Sequence, residues 1–272
     1  MVDLTHLTKS TLHAVDSPIH KELPRTYLGM SGLGASCSRY LWYTFRWCYV
    51  SETSSRMKRL FGRGHREEPE IVKELEKVGL EFWGDQTEMI GFAGHAKGHC
   101  DGMCKGVLEA PKTVHLAEFK TMNDKSFKQT KKEGVKLSKP TYYAQMQRYM
   151  HGLKLTRALF VAVNKNDDSW YIERVEYDAT FAEALLGKEA DIILAEIPPT
   201  KPFHPSYYEC KFCSARGICH GGEEIHKTCR TCVHIDIKNE GKWGCLYHKK
   251  DLTTEEQRHG CDDYESGVPS NV

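Results

Sequence analysis

The chain has 272 residues, with 38 lysines and arginines against 37 aspartates and glutamates and a formal net charge of +1. That length buries a full core with room for a small appendage, and the balanced charge means that only a local basic surface could meet a polyanion. No stretch approaches the roughly 20 apolar residues of a membrane span, and residues 1 to 20 carry no apolar run of the kind that marks an export signal. The expectation is a soluble cytoplasmic protein without membrane partners, in which the clustered ones among the eleven cysteines bind metal rather than pair as disulfides.

Residues 1 to 29 are polar with scattered leucines, broken by Pro18 and Pro24, and should pack at an edge. Ser31-Gly32-Leu33-Gly34 leads into a helix bearing Tyr40, Trp42, Tyr43, Phe45 and Trp47, too many aromatics for one face and so core residues. Residues 61 to 79 predict a helix with Ile71, Val72, Leu75 and Val78 inward. It should kink or restart at Pro69, which lacks an amide donor and frees the carbonyl of His65. Residues 81 to 98 alternate around Gly84 and Gly91 and predict short strands.

Gly98 to Lys120 predicts a β-hairpin, with Gly102 and Gly106 bending the first arm and Ala110-Pro111-Lys112 making the turn. Alternation puts Leu116, Glu118 and Lys120 on one face, and Asp101 can project from the neighbouring strand towards the same point. Two carboxylates side by side repel each other, but a hard divalent cation such as Mg²⁺ or Mn²⁺ is held by carboxylate oxygens, water and substrate phosphate. Lys120 would then orient a metal-bound water or meet the charge that builds on a phosphate under attack. Cys100 points away from the Asp101 face and, with Cys104, reads as a core or surface thiol; His99 shares that face and is a competing imidazole.

The segment from Lys125 to Lys139 carries Lys125, Lys128, Lys131, Lys132, Lys136 and Lys139 with a single acid, Glu133. Leaving the acidic strand directly, it can line the path of a nucleic-acid backbone, the plain alternative being a solvated surface. Tyr142 to Tyr149 is amphipathic at helical spacing, with Gln145 and Tyr149 at i and i+4 on one face. Residues 157 to 178 predict a strand pair around an Asn164 to Asp168 turn, and residues 180 to 196 a helix ended by Ile197-Pro198-Pro199.

Cys210, Cys213 and Cys219 supply three thiols, so a fourth ligand is wanted from elsewhere; Cys37 is the candidate and His220 the substitute. A second set comprises Cys229, Cys232, Cys245 and Cys261, with His248 able to displace Cys261. Its CxxC knuckle and short β-like segment resemble a small zinc-ribbon module, in which Zn²⁺ replaces a core in a tail too small to fold alone. The expected division is a first domain over residues 1–220 and a small module over residues 221–272.

The ordered set Asp101, then Glu118-Phe119-Lys120, then Gln145 and Tyr149, with Phe61-Gly62-Arg63-Gly64-His65 upstream, resembles the PD-(D/E)xK nuclease superfamily. Within it, the set is most similar to the RecB-like exonuclease branch, to which the CRISPR-associated RecB-like nucleases and many phage recombination exonucleases belong. The resemblance covers residues 30 to 220 and implies an α/β, restriction-endonuclease-like fold: a mixed sheet flanked by helices, with a metal-stapled C-terminal extension. It also implies Mg²⁺ or Mn²⁺ on His65, Asp101, Glu118 and the Phe119 carbonyl, Lys120 as the catalytic lysine, and Gln145 with Tyr149 positioning the backbone and that lysine. Cys37-Ser38-Arg39 with the later three cysteines resembles that branch's iron–sulfur staple, implying a [4Fe–4S] cluster on Cys37, Cys210, Cys213 and Cys219, with zinc as the alternative. Pro69 departs from the uninterrupted helix the resemblance leads one to expect. The implied function is a metal-dependent exonuclease acting on double- or single-stranded DNA ends in phage-type recombination, repair or replication, beside a single-strand annealing or other recombination protein. The competing readings are an inactive DNA-binding or scaffold protein, a structure-selective endonuclease, and a zinc-dependent adaptor.

Overall fold

The computed structural model describes residues 8–269. Helix α1 (Lys9–Asp16) and strand β1 (Ile19–Glu22) precede β2 (Leu28–Gly29) and the aromatic helix α2 (Ser38–Phe45); β3 (Ser51–Ser54) pairs back onto β1 and leads into α3 (Ser55–Glu76). Four short strands follow, β4 (Glu81–Trp83), β5 (Glu88–Ile90), β6 (Ala96–His99) and β7 (Gly102–Lys105). Next come β8 (His115–Met122), α4 (Asp124–Ser138), α5 (Pro140–Leu153), β9 (Arg157–Asn164), β10 (Trp170–Glu176) and α6 (Ala179–Leu194). The remainder holds α7 (Tyr208–Lys211), α8 (Arg216–His220), a meander of β11 (Ile235–Ile237), β12 (Trp243–Cys245) and β13 (Lys250–Leu252), and α9 (Thr254–His259).

The central sheet runs β10-β9-β8-β7-β4, with β8 antiparallel to β7 and parallel to β9. The connections explain the mixture: a loop suffices between β7 and β8, whereas β8 reaches β9 through α4 and α5, the long crossover that parallel neighbours require. Both β8 and β9 are buried over most of their length, as strands covered on two faces are. Alternate residues part into two cores. Leu116, Phe160 and Ala162 pack with α2, α5 and α6, while Ala117, Phe119 and Val161 pack with Ile71 and Leu75 of α3. The fold is therefore the mixed α/β sheet flanked by helices that the sequence led us to expect.

Several readings differ from the structure; Val78, expected inward, lies beyond the end of α3 and is exposed. Helix α3 runs unbroken through Pro69, although the proline leaves the His65 carbonyl without its helical donor; the His65 side chain is 78% exposed. Helix α5 is not half-exposed but buried continuously from Tyr143 to Met150, because α6 covers the face turned away from the sheet. Its polar side chains are consequently paired inside. Arg148 is held by Glu189 (Nε to Oε2, 2.7 Å), and Glu189 also accepts the N–H of Phe92, which offsets the cost of burying both charges.

The lysine segment forms α4, broken at Gly134. The hairpin glycines Gly102 and Gly106 have φ of +147° and +94°, conformations that favour glycine. Trp243 and Val268 join the same core cluster as Leu41 and Phe45, with the Trp243 ring 5.3 Å from Phe45 and 5.0 Å from His95. Among the described residues no helix is long and apolar enough to cross a membrane.

Candidate active site

The register of β7 on β8 sets Gly102 opposite Ala117, which brings Asp101, the residue before β7, alongside Glu118. Asp101 Oδ2 accepts the Phe119 N–H at 2.8 Å, fixing the carboxylate at the strand end. Lys120 lies two residues beyond Glu118 on the same face. Its Nζ forms an ion pair with Glu118 Oε1, lies 3.8 Å from Asp101 Oδ2, and donates to the Phe119 carbonyl at 2.9 Å. The second Glu118 oxygen accepts from Gln145 Nε2 of α5 at 3.0 Å, so one carboxylate is held by the sheet and the helix together. The Tyr142 ring stands 5.5 Å from the Lys120 ammonium, a cation–π contact.

Tyr149 is buried against β6. A Cβ placed at Gly98 would lie 2.6 Å from the tyrosine ring, well inside van der Waals contact. Only glycine lets β6 approach α5 this closely, and β6 leads directly to Asp101.

Glu118 is wholly buried, and this burial pushes its carboxyl up to about 7 despite the opposing pull of Lys120. Burial lowers the Lys120 pKa, but Glu118 and Asp101 outweigh it and hold the ammonium above its ordinary value; the side chain is 21% exposed. Tyr149 is also raised, first by burial and then by the Glu118 charge.

A cleft of about 600 Å³ opens beside Lys120, lined by Arg25, Met57, Phe61, His65, Glu68, Ile71, Phe119, Tyr142 and Lys165 among others. The sequence reading missed Glu68, one turn beyond His65 on the same helix face. Its carboxyl is raised, first by burial and then by Asp101, and it also feels Lys120, so it looks into the acidic centre. His65 Nδ1 is 3.7 Å from a Glu68 oxygen and its ring is largely exposed. The i, i+3 spacing was the available signal. His99, the competing imidazole, is turned to Glu88 of β5 at 3.7 Å.

The donors around Lys120 are all oxygens: two carboxylates and a backbone carbonyl, with Glu68 facing them. Such a set fits a hard divalent cation and no soft one. Of the lysines on and just after α4, Lys128 pairs with Asp124 at 2.8 Å, Lys136 with Asp178 at 3.5 Å, and Lys139 donates to Ser126 at 3.0 Å. Lys125, Lys131 and Lys132 are exposed and have no partner among the described residues.

The cysteines are free. Cys37 caps α2, its sulfur accepting the Tyr40 N–H at 3.4 Å, and lines one cavity with Cys210, Cys213, Cys219 and His220. Lys188 donates to the carbonyls of Leu33 and Ala35, which steadies the loop that presents Cys37. Cys229, Cys232, Cys245, Cys261 and His248 line a second cavity, where the ligand atoms of His248, Cys261 and Asp263 lie within 4.8 Å of one another. Both are sulfur-rich sets suited to zinc or iron–sulfur centres. Cys100 and Cys104 are buried in the core.

No protein-family model matches the chain, and no curated protein does. Among solved structures, the crystal structure of SSO0001 is similar at 17% identity and TM-score 0.44, over 74% of this chain and 89% of that one. LHK-Exo in complex with dAMP is similar at 18% identity and TM-score 0.46, over 62% and 86%. An alkaline exonuclease (LHK-Exo) from Laribacter hongkongensis is similar at 18% identity and TM-score 0.47, over 62% and 87%.

Proposed function

We propose that the protein is a metal-dependent deoxyribonuclease of the PD-(D/E)xK kind that hydrolyses phosphodiester bonds from DNA ends. The observation that carries this reading is the convergence of Asp101, Glu118 and the Phe119 carbonyl on one ammonium, Lys120, beside an open cleft. Those oxygens, with Glu68 or His65 from α3, would hold Mg²⁺ or Mn²⁺. Such an ion, when bound, makes its water more acidic and offsets charge at the scissile phosphate.

The chain's own residues do the rest. Gln145 fixes one Glu118 oxygen and so the aim of the other. Lys120, kept charged by its acidic neighbours, meets the negative charge that develops on the phosphate. Arg25 and Lys165 lie along the cleft, where cations favour a phosphate backbone, and the free Lys125, Lys131 and Lys132 extend a basic surface from the end of β8. The order of the motifs favours digestion from an end, and we extend the proposal to phage-type recombination, repair or replication in the cytoplasm, beside a single-strand annealing or other recombination protein. An inactive DNA-binding scaffold is disfavoured because no acid of the set is missing.

In the same reading Cys37, Cys210, Cys213 and Cys219 hold a [4Fe–4S] cluster or, failing that, zinc; Cys229, Cys232, Cys245 and Cys261 hold Zn²⁺. The deciding experiment incubates the purified protein with labelled linear duplex, covalently closed circle and single strands, in Mg²⁺ or EDTA. The reading expects linear DNA to be degraded in Mg²⁺ only, with closed circles spared. Rapid nicking of the circle would make the protein an endonuclease, and inertness in both Mg²⁺ and Mn²⁺ would make it a binding protein.

A further inference from the structure

Arg230 is one of the buried charges that the nuclease chemistry leaves unused. Arg230 sits between Cys229 and Cys232 in the knuckle, yet it does not line the thiol cavity. It is 2% exposed, and its guanidinium lies 3.7 Å from the Trp47 ring centroid and 4.3 Å from that of Trp243. It donates to the carbonyls of Phe45 at 3.0 Å and Thr26 at 2.9 Å, and to Gln257 Oε1 at 2.9 Å. All three acceptors are neutral, and the other guanidiniums of the cluster, Arg46 and Arg258, only add positive charge. A buried cation so placed is costly without a nearby anion. Four thiolates on one Zn²⁺ would carry a net charge of −2, and two of them, Cys229 and Cys232, flank Arg230 in the chain.

The socket has a further property. Phe45 ends α2 and Trp47 follows it, while Cys37 caps the other end of the same helix, so the two thiol sets grip α2 from opposite ends. On the thiol side, the knuckle closes with a Cys232 N–H to Cys229 carbonyl bond of 3.1 Å, and Cys245 accepts the His248 N–H at 3.4 Å. His248 Nε2 lies 3.5 Å from Asp263, and Cys261, which shares that corner with them, is taken as the fourth thiol.

We propose that the metal on Cys229, Cys232, Cys245 and Cys261 is a lock: it holds the knuckle in the form that seats Arg230 between Trp47 and Trp243, coupling C-terminal metal occupancy to the stability of the core built on α2. The proposal rests on reading these four thiols as a zinc site. Coupling is reciprocal, so seating Arg230 must in turn favour the metal.

The test uses the full-length chain as wild type, Arg230→Lys, Cys232→Ser and the double variant, with zinc counted by mass spectrometry and affinity measured against a competing chelator. Arg230→Lys should keep its zinc when saturated but bind it about 10-fold more weakly, within the usual range for coupled sites. Cys232→Ser should lose one zinc and melt at lower temperature, and the double variant should melt no lower than the worse single one, because both changes break one coupling. His248→Ala should retain the zinc. Wild-type zinc affinity in a folded Arg230→Lys chain, or melting losses that add in the double variant, would overturn the lock while leaving the zinc site standing. A wild type with no metal on these thiols would overturn the site and the lock together. Should Cys232→Ser prove insoluble, the affinity of Arg230→Lys alone decides.

Discussion

Replacing Lys120 by methionine keeps the apolar stem and removes the ammonium that Glu118, Asp101 and the Phe119 carbonyl share. Breaking a buried ion pair from one side costs about 3–5 kcal/mol if the abandoned partner stays charged. Glu118 can avoid part of that cost by taking up a proton, since burial already holds its pKa at about 7 with the lysine in place. The folded value lies above the ordinary 4.5, so the folded state holds the proton more tightly, and the metal-free wild type should lose stability as pH rises from 4.5 to about 7. Without Lys120 the folded pKa climbs further and the loss continues. Each pH unit over which only the folded state keeps that proton costs on the order of 1 kcal/mol, so Lys120→Met should be destabilised by a few kcal/mol more at pH 9 than at pH 7. Urea titrations in EDTA at pH 6, 7 and 9 measure this directly. Cleavage of labelled linear duplex in Mg²⁺ should fall about 10²- to 10³-fold, the usual cost of one preorganised charge at a reacting centre. A destabilisation equal at pH 6 and pH 9 would refute the buried pairing, and wild-type turnover would remove Lys120 from the mechanism.

Asp101→Ala and Glu118→Ala should each weaken Mg²⁺ binding by calorimetry; Glu68→Ala should weaken it more than His65→Ala, and the opposite order would return the α3 ligand to the histidine. Replacing Lys125, Lys131 and Lys132 together by alanine should lower DNA affinity and flatten its dependence on log salt by up to about 3 units, roughly 0.9 for each lost phosphate contact. An unchanged slope would make these lysines mere surface. Cys37→Ala should destabilise the whole domain and lower its solubility, because Cys37 lies before Asp101 and Cys210 lies after Tyr149 in the chain, and a centre joining them closes a long loop. Anaerobic wild type should be brown and contain iron and sulfide, and that colour should be lost in the variant. A colourless zinc protein would replace the iron assignment but keep the staple, whereas full stability with unchanged metal content would remove it.

What the sequence by itself determined is what depends on local periodicity. Side chains alternate along a strand, so Leu116, Glu118 and Lys120 had to share a face, and Gly102 and Gly106 had to bend the arm that brings Asp101 to them. The spacing of Cys210, Cys213 and Cys219 likewise raised the expectation of a fourth ligand, and the fold sets Cys37 on the cavity they line. Only the tertiary structure decided the rest. Helix α5 looks amphipathic alone, but α6 covers its second face, so Gln147 and Arg148 are interior. Glu68 reads as one more acid in a charged helix, and its importance appears only when α3 is laid against β8 and its carboxyl meets the field of Asp101. Arg230 reads as a surface residue between two cysteines until Trp47, distant in sequence, supplies its seat. These features were illegible for one physical reason. Burial and electrostatic field at a side chain are set by neighbours arriving from remote parts of the chain, and local periodicity carries no record of which neighbours those will be.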